Sequence, residues 1–221
     1  GLSKFKDQVI ESFKHFVKTY PDCGWGAHFH SWAVNYFKNG YKPYNSFGNG
    51  AAMRISPVGW IAESIEDVKV LSKAVTEVTH NHPEGIKGAE ATAMCIYLAR
   101  IGKTKEEIKK YVLDNYYPEM YLLDYKNLLK TYDFDITCQG TVPVAIYAFL
   151  ISDSFTDCLR TAVSIGGDCD TTAAISCAVA EAYYGIPESI VEMFKAKIPV
   201  SMLEVLEDFE HTYGNNIIEG K

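Results

Sequence analysis

The 221-residue sequence has no C-x-x-C pair among its six cysteines, no Gly/Ser linker, no repeat and no excess of basic residues. Each absence removes a class of protein. Cys23, Cys95, Cys138, Cys158, Cys169 and Cys177 stand singly in a chain large enough to build a core without staples. That excludes a disulfide framework and suits reduced thiols, with the cytoplasm as the expected compartment. The longest uncharged stretch, 136–152, contains Gly140 and Pro143 and falls short of the roughly 20 apolar residues of a membrane span. Lys and Arg number 21 against 28 Asp and Glu, for a net charge of −7, and the basic residues are scattered among acids. A phosphate-backbone binder needs them clustered, so no nucleic-acid partner and no membrane are expected. Neither a G-x-S-x-G elbow nor a Walker sequence is present. With nothing to divide the chain, residues 1–221 are expected to form one domain.

What is present is aromatic and helical. Fifteen Tyr and 11 Phe supply large apolar areas with polar tips. Phe5, Val9, Phe13, Phe16 and Tyr20 recur at three to four residues, as do Phe29, Trp32, Tyr36 and Phe37, then Ile65, Val68, Leu71, Val75 and Val78; each set marks one apolar helix face. Thr104 and Glu107 have capping-box spacing, Ser154 can cap a further helix, and Pro187 and Pro199 stand before or early in two more. Only Tyr132 to Thr137 alternates like a strand, and it covers six residues. The fold class expected is all-α.

Four short segments carry possible chemistry. In GGDCDTTAA, 166–174, two glycines permit a tight turn and Asp168, Asp170 and Thr171 then offer three hard oxygen donors suited to Mg²⁺ or Mn²⁺; the plain alternative is that Asp170 or Thr171 caps the following helix. In SFGNGAAMR, 46–54, Gly48 and Gly50 around Asn49 suit positive φ and a nest of backbone N–H groups leading into a helix from Ala51, a place for a pyrophosphate, or else an ordinary Asn-Gly turn. In THNHPEG, 79–85, one of His80, Asn81 and His82 is expected to cap the helix after Pro83. Zinc shared with His28 and His30 is a weak reading without cysteine pairs beside them. In QGTVP, 139–143, Thr141 reads as a cap. Asp133 and Asp135 read as solvated or hydrogen-bonded, and Cys169 between two carboxylates is a poor nucleophile.

Taken in order, YPDCGWG, SFGNGAAMR, THNHPEGIKGAEATA, TCQGTVPVAI and GGDCDTTAAISCAVAEAYYGIP resemble the ADP-ribosylglycohydrolase family, from about Tyr20 to Pro187. The resemblance implies an all-α, single-domain hydrolase that cleaves the glycosidic bond between ADP-ribose and a modified side chain or small acceptor. It also implies two Mg²⁺ or Mn²⁺ ions, held between an N-terminal Thr-Asp-Asp element and a C-terminal Asp-x-Asp-Thr element. Asp168, Asp170 and Thr171 match the latter, while Ser46, Phe47, Asn49, Gly50 and His80 match the residues around ADP-ribose. The Thr-Asp-Asp element and the family's catalytic acidic residue have no match before YPDCGWG. The expectation is therefore an N-terminally truncated domain whose partner, besides ADP-ribose or an ADP-ribosylated substrate, is a separate N-terminal segment. The alternative is a catalytically silent ADP-ribose-binding or structural protein of the same fold.

Overall fold

The computed structural model describes residues 1–35 and 40–213. Among them the fold is all-α: thirteen α-helices and one 3₁₀ turn, Pro118–Leu122, with no strand. Three helices form the centre. Helix α6, Pro83–Arg100, is buried almost all round from Gly88 to Ala99, as expected of a helix without a polar face. It packs against α9, Cys138–Ile151, and α11, Cys169–Tyr184, and these two also pack on each other. Around α6 lie α3, Gly50–Met53, α4, Ser56–Ile61, α5, Ile65–Thr76, and α7, Lys105–Asn115, while α10, Phe155–Ile165, covers α9 and α11. A separate aromatic cluster of Val17, Trp32 and Ala33, with Phe13, Trp25, Phe29 and Tyr44 against it, joins α1, Leu2–Thr19, to α2, Ala27–Ala33. Helices α8, Tyr125–Thr131, α12, Glu188–Lys195, and α13, Val200–Tyr213, complete the chain. No helix among the described residues is long and apolar enough to cross a membrane.

Local chemistry explains most element boundaries. Thr104 and Glu107 form the reciprocal capping box at α7, Ser154 accepts from the Asp157 N–H at α10, and His82 is the residue of its trio that caps α6. Tyr36 and Phe37, expected on the second helix, lie outside the described residues. The alternating segment 132–137 forms no strand, in keeping with the all-α expectation, and meets only a loop: a single antiparallel bridge joins Thr137 to Gly48. The expected Thr141 cap fails. The cap of α9 is Thr137, whose hydroxyl accepts from the Gly140 N–H. Thr141 is buried one turn further in.

Packing at the centre relies on missing side chains. A methyl group at Gly59 of α4 would stand 2.5 Å from Ile96 Cβ and 2.8 Å from the Ala93 carbonyl oxygen of α6. Gly59→Ala should therefore destabilise the protein by roughly 1–3 kcal/mol despite alanine's helix preference. Gly26→Ala, with nothing within 4 Å, should be close to neutral. Urea denaturation of both variants checks this, and equal midpoints would contradict the close approach of α4 to α6.

Candidate functional site

The three motif loops meet at the ends of α3, α6 and α11. Gly85, in the first turn of α6, lets the loop 46–50 lie against it: a Cβ there would stand 2.8 Å from the Ser46 carbonyl oxygen. The loop is fixed on its other side by the Asn49 N–H donating to the Ile136 carbonyl and the Cys138 N–H donating to that of Phe47, each at 2.8 Å. Positive φ occurs at Asn45, with φ 56, and not at Gly48 or Gly50. His80 Nε2 instead faces both glycines, 3.6 Å from where a Cβ on either would stand, an ordinary van der Waals distance. The expected nest of free N–H groups is also reduced: Gly48 N–H donates to Ser46 Oγ at 3.1 Å, and those of Asn49, Ala51 and Ala52 are bonded to carbonyls. The helix that follows starts at Gly50 and runs for four residues.

His80 is buried, and its protonation is settled by its neighbours. Arg54 Nη2 donates to Thr79 Oγ1 at 2.6 Å. The Thr79 hydroxyl, 2.7 Å from His80 Nδ1, then gives its own proton to that nitrogen rather than to the Thr76 carbonyl at 3.5 Å. Nδ1 is thus an acceptor and Nε2 carries the hydrogen, facing Gly48 and Gly50. Burial, and then the Arg54 charge, depress the imidazole from 6.5 to about 3, so it is neutral at physiological pH. Arg54 forms no ion pair among the described residues; its guanidinium lies 4.6 Å from the Phe13 ring and 5.6 Å from that of Phe29, and burial lowers it to about 10.

The acidic turn lies on the far side of Asn49. Gly166 and Gly167 adopt φ of 85 and 64, values glycine accepts without strain, and carry the chain from α10 into α11. Asp168 occupies the cap position of α11, but its side chain does not cap the helix; neither Asp170 nor Thr171 takes that place. The Asp168 carboxylate instead accepts from Asn49 Nδ2 at 2.6 Å. Burial raises its pKa, the Asn49 hydrogen bond opposes that, and the neighbouring Asp170 raises it further. Asp170 is exposed, while Thr171 is buried with its hydroxyl 3.8 Å from Met53 Sδ. Two adjacent carboxylates without a cation partner are the donor chemistry of a divalent-ion site. No third His, Cys, Asp or Glu joins them among the described residues.

A cavity of about 750 Å³ opens between this loop cluster and the aromatic layer. Ser46, Gly48, Asn49, Gly50, Arg54 and His80 line one side, and Phe13, Phe16, Trp25 and Phe29 another. Among the described residues no Asp or Glu is in its wall; the acidic turn reaches it through Asn49 and Met53. Phe47 is exposed, its ring 5.1 Å from that of His82. His28 lines the cavity without joining a metal-binding cluster. Arg54, Met53, Thr141 and Asp135 were not singled out from the sequence as site residues. The available signal was Gly140, where a Cβ would stand 1.8 Å from Asp135 Oδ2.

The depressed His80 pKa sets a pH dependence. Between about pH 3 and 6.5 the unfolded chain holds a proton on this imidazole that the folded chain refuses, so stability falls as the pH drops through that window. The expected loss is on the order of 1 kcal/mol for each pH unit below about 6. Urea titrations from pH 7 to 5 should show His80→Gln with the shallower dependence. Equal slopes for the two proteins would rule out a neutral, buried His80.

The sequence matches the ADP-ribosylglycohydrolase family over residues 3–216. It is 27% identical over 273 residues to the ADP-ribosylhydrolase ARH3 of Homo sapiens, covering 96% of this chain and 72% of the relative. It is 29% identical over 152 residues to the ADP-ribosyl-[dinitrogen reductase] glycohydrolase of Rhodospirillum rubrum, covering 64% of this chain and 47% of the relative. Among solved structures, a chain of an ADP-ribosylglycohydrolase-related protein complex superposes with a TM-score of 0.65 at 22% identity, over 85% of this chain and 70% of that one. The match over nearly the whole sequence and the shared fold lead to one conclusion: this chain belongs to the ADP-ribosylglycohydrolase family.

Proposed function

We propose that this chain provides the ADP-ribose-holding part and half of the metal site of a hydrolase that cleaves the glycosidic bond between ADP-ribose and a modified side chain or small acceptor. The observation that carries this reading is the convergence of Ser46–Arg54, His80 and the Asp168–Thr171 turn through direct contacts: Arg54 against Thr79 and His80, and Asn49 against Asp168. The two relatives described above are named for hydrolysis of ADP-ribosylated targets, which supports the substrate class.

Each group has a role set by its chemistry. His80, neutral and with its hydrogen on Nε2, donates to a ligand oxygen, alongside Ser46, Phe47, Asn49 and Gly50 as the binding loop. A neutral donor suits a buried wall better than an imidazolium, because the nearby Arg54 already supplies one uncompensated charge. Asp168, Asp170 and Thr171 would hold Mg²⁺ or Mn²⁺, which supplies charge stabilisation and activates water at neutral pH. Two carboxylates and one hydroxyl are too few to fix two such ions in oxygen shells of six or more. Further oxygen ligands, such as a Thr-Asp-Asp-bearing segment would bring, would complete those shells.

Calorimetric titration with ADP-ribose should give saturable binding that His80→Ala weakens about tenfold, the value of one hydrogen bond, whereas Asp133→Ala leaves it unchanged. Absence of saturable heat at millimolar ligand would sink the binding reading. Metal-dependent release of ADP-ribose from modified arginine and serine peptides should be slow for this chain. It should rise on mixing with a Thr-Asp-Asp-bearing segment and vanish in Asp168→Ala. Fast turnover by the unsupplemented chain would show that other residues complete the metal shell.

A further inference from the structure

The family resemblance places Asn49 among the residues around ADP-ribose, yet its side-chain amide is bonded within the protein. It is only 6% exposed. Its Nδ2 donates to Asp168 Oδ2 at 2.6 Å and to Thr141 Oγ1 at 3.0 Å, and lies 3.4 Å from the Asp135 carbonyl oxygen. The Thr141 hydroxyl spends its own proton on that same Asp135 carbonyl, at 3.0 Å, so it must accept from Asn49. Both amide hydrogens are therefore committed inside the protein, one of them to a carboxylate, in a short charge-assisted bond.

We infer that Asn49 is a positioning residue for Asp168: its amide fixes one carboxylate oxygen of the acidic turn in a single orientation, and so holds the carboxylate ready for a divalent cation. This rests on the metal reading above. Few substitutes can do the same. Asn49→Asp would set carboxylate against carboxylate, and Asn49→Ala would leave Asp168 half-buried without its donor. Asn49→Gln would add a methylene and shift the amide from the position that gives the 2.6 Å bond to Asp168. The Asn49 backbone is independently fixed to Ile136, so the amide is aimed from a rigid loop. Groups that orient a metal ligand in this way typically carry 10–100-fold in metal affinity.

The test uses the full chain and Mn²⁺ alone, with the free ion followed by electron paramagnetic resonance and thermal midpoints measured in EDTA. Asn49→Ala and Asn49→Asp should weaken Mn²⁺ binding at least tenfold. Thr141→Val removes the other arm of the same network without touching Asp168; it should lower the midpoint but keep Mn²⁺ affinity within threefold. In an Asp168→Asn background, Asn49→Ala should bring no further loss, because the two residues act as one unit. Mn²⁺ binding that Asn49→Ala leaves unchanged overturns the positioning role while sparing the metal reading. Equal losses in Asn49→Ala and Thr141→Val overturn it too, by showing a general effect of stability. No Mn²⁺ binding by the unsubstituted chain overturns the metal reading and this inference together.

Discussion

The site exists because backbones come closer to α6 than side chains would allow. Gly85 admits the Ser46 carbonyl, and Gly88 admits Cys138, whose Cβ and Sγ would each be 2.7 Å from a methyl group there. On the opposite flank Gly59 nests α4 against Ile96. One buried helix thus draws the loop 46–50 and the start of α9 into hydrogen-bonding range of each other. Asn49 can reach Thr141 and Asp168 only because both partners of that approach have been brought together. A bulkier α6 would keep the same helices and lose the contacts among the loops.

Electrostatics then sort the two sides of Asn49. On one side burial keeps a histidine neutral, helped by the charge of a buried arginine without an acid partner among the described residues that shares a threonine with it. On the other, two carboxylates stand together without a cation. The amide of Asn49, an uncharged donor, separates these opposite excesses, and it does so without neutralising either. Both sides retain charge that is unsatisfied within the described residues, which is how a site differs from a core: interior charges are normally paired.

The helical class and most caps were legible in the sequence, because apolar spacing and Ser/Thr chemistry act over a few residues. Thr104 with Glu107 needs no tertiary knowledge, and neither do the paired glycines before Asp168. What could not be read was which partner each polar group would choose. Thr141 has the residue type of a cap, but Thr137 lies four residues earlier and leaves Thr141 to the interior. The stretch 132–137 alternates like a strand and found a loop where a partner strand would have to be. Gly48 and Gly50 looked like positive-φ residues, whereas neither takes positive φ and both lie beside His80, which is remote from them in the chain. Each of these outcomes depends on a long-range neighbour and on no local preference.

The aromatic layer of α1 and α2 is a cluster of its own, separate from the central core. It meets the remainder through the Phe13 and Phe29 rings beside Arg54, through Tyr44, whose N–H donates to the Thr79 carbonyl and whose ring lies 5.7 Å from that of His80, through the Lys6–Glu77 ion pair, and through the contacts of α1 with α5. The free energy of detaching it is therefore set by those contacts and not by the packing of α6, α9 and α11. Detachment would also hydrate the guanidinium and return it towards its ordinary basicity. The layer thus acts as insulation: beneath it His80 is kept neutral first by burial and then by the Arg54 field in low-dielectric surroundings, and water admitted there would weaken both.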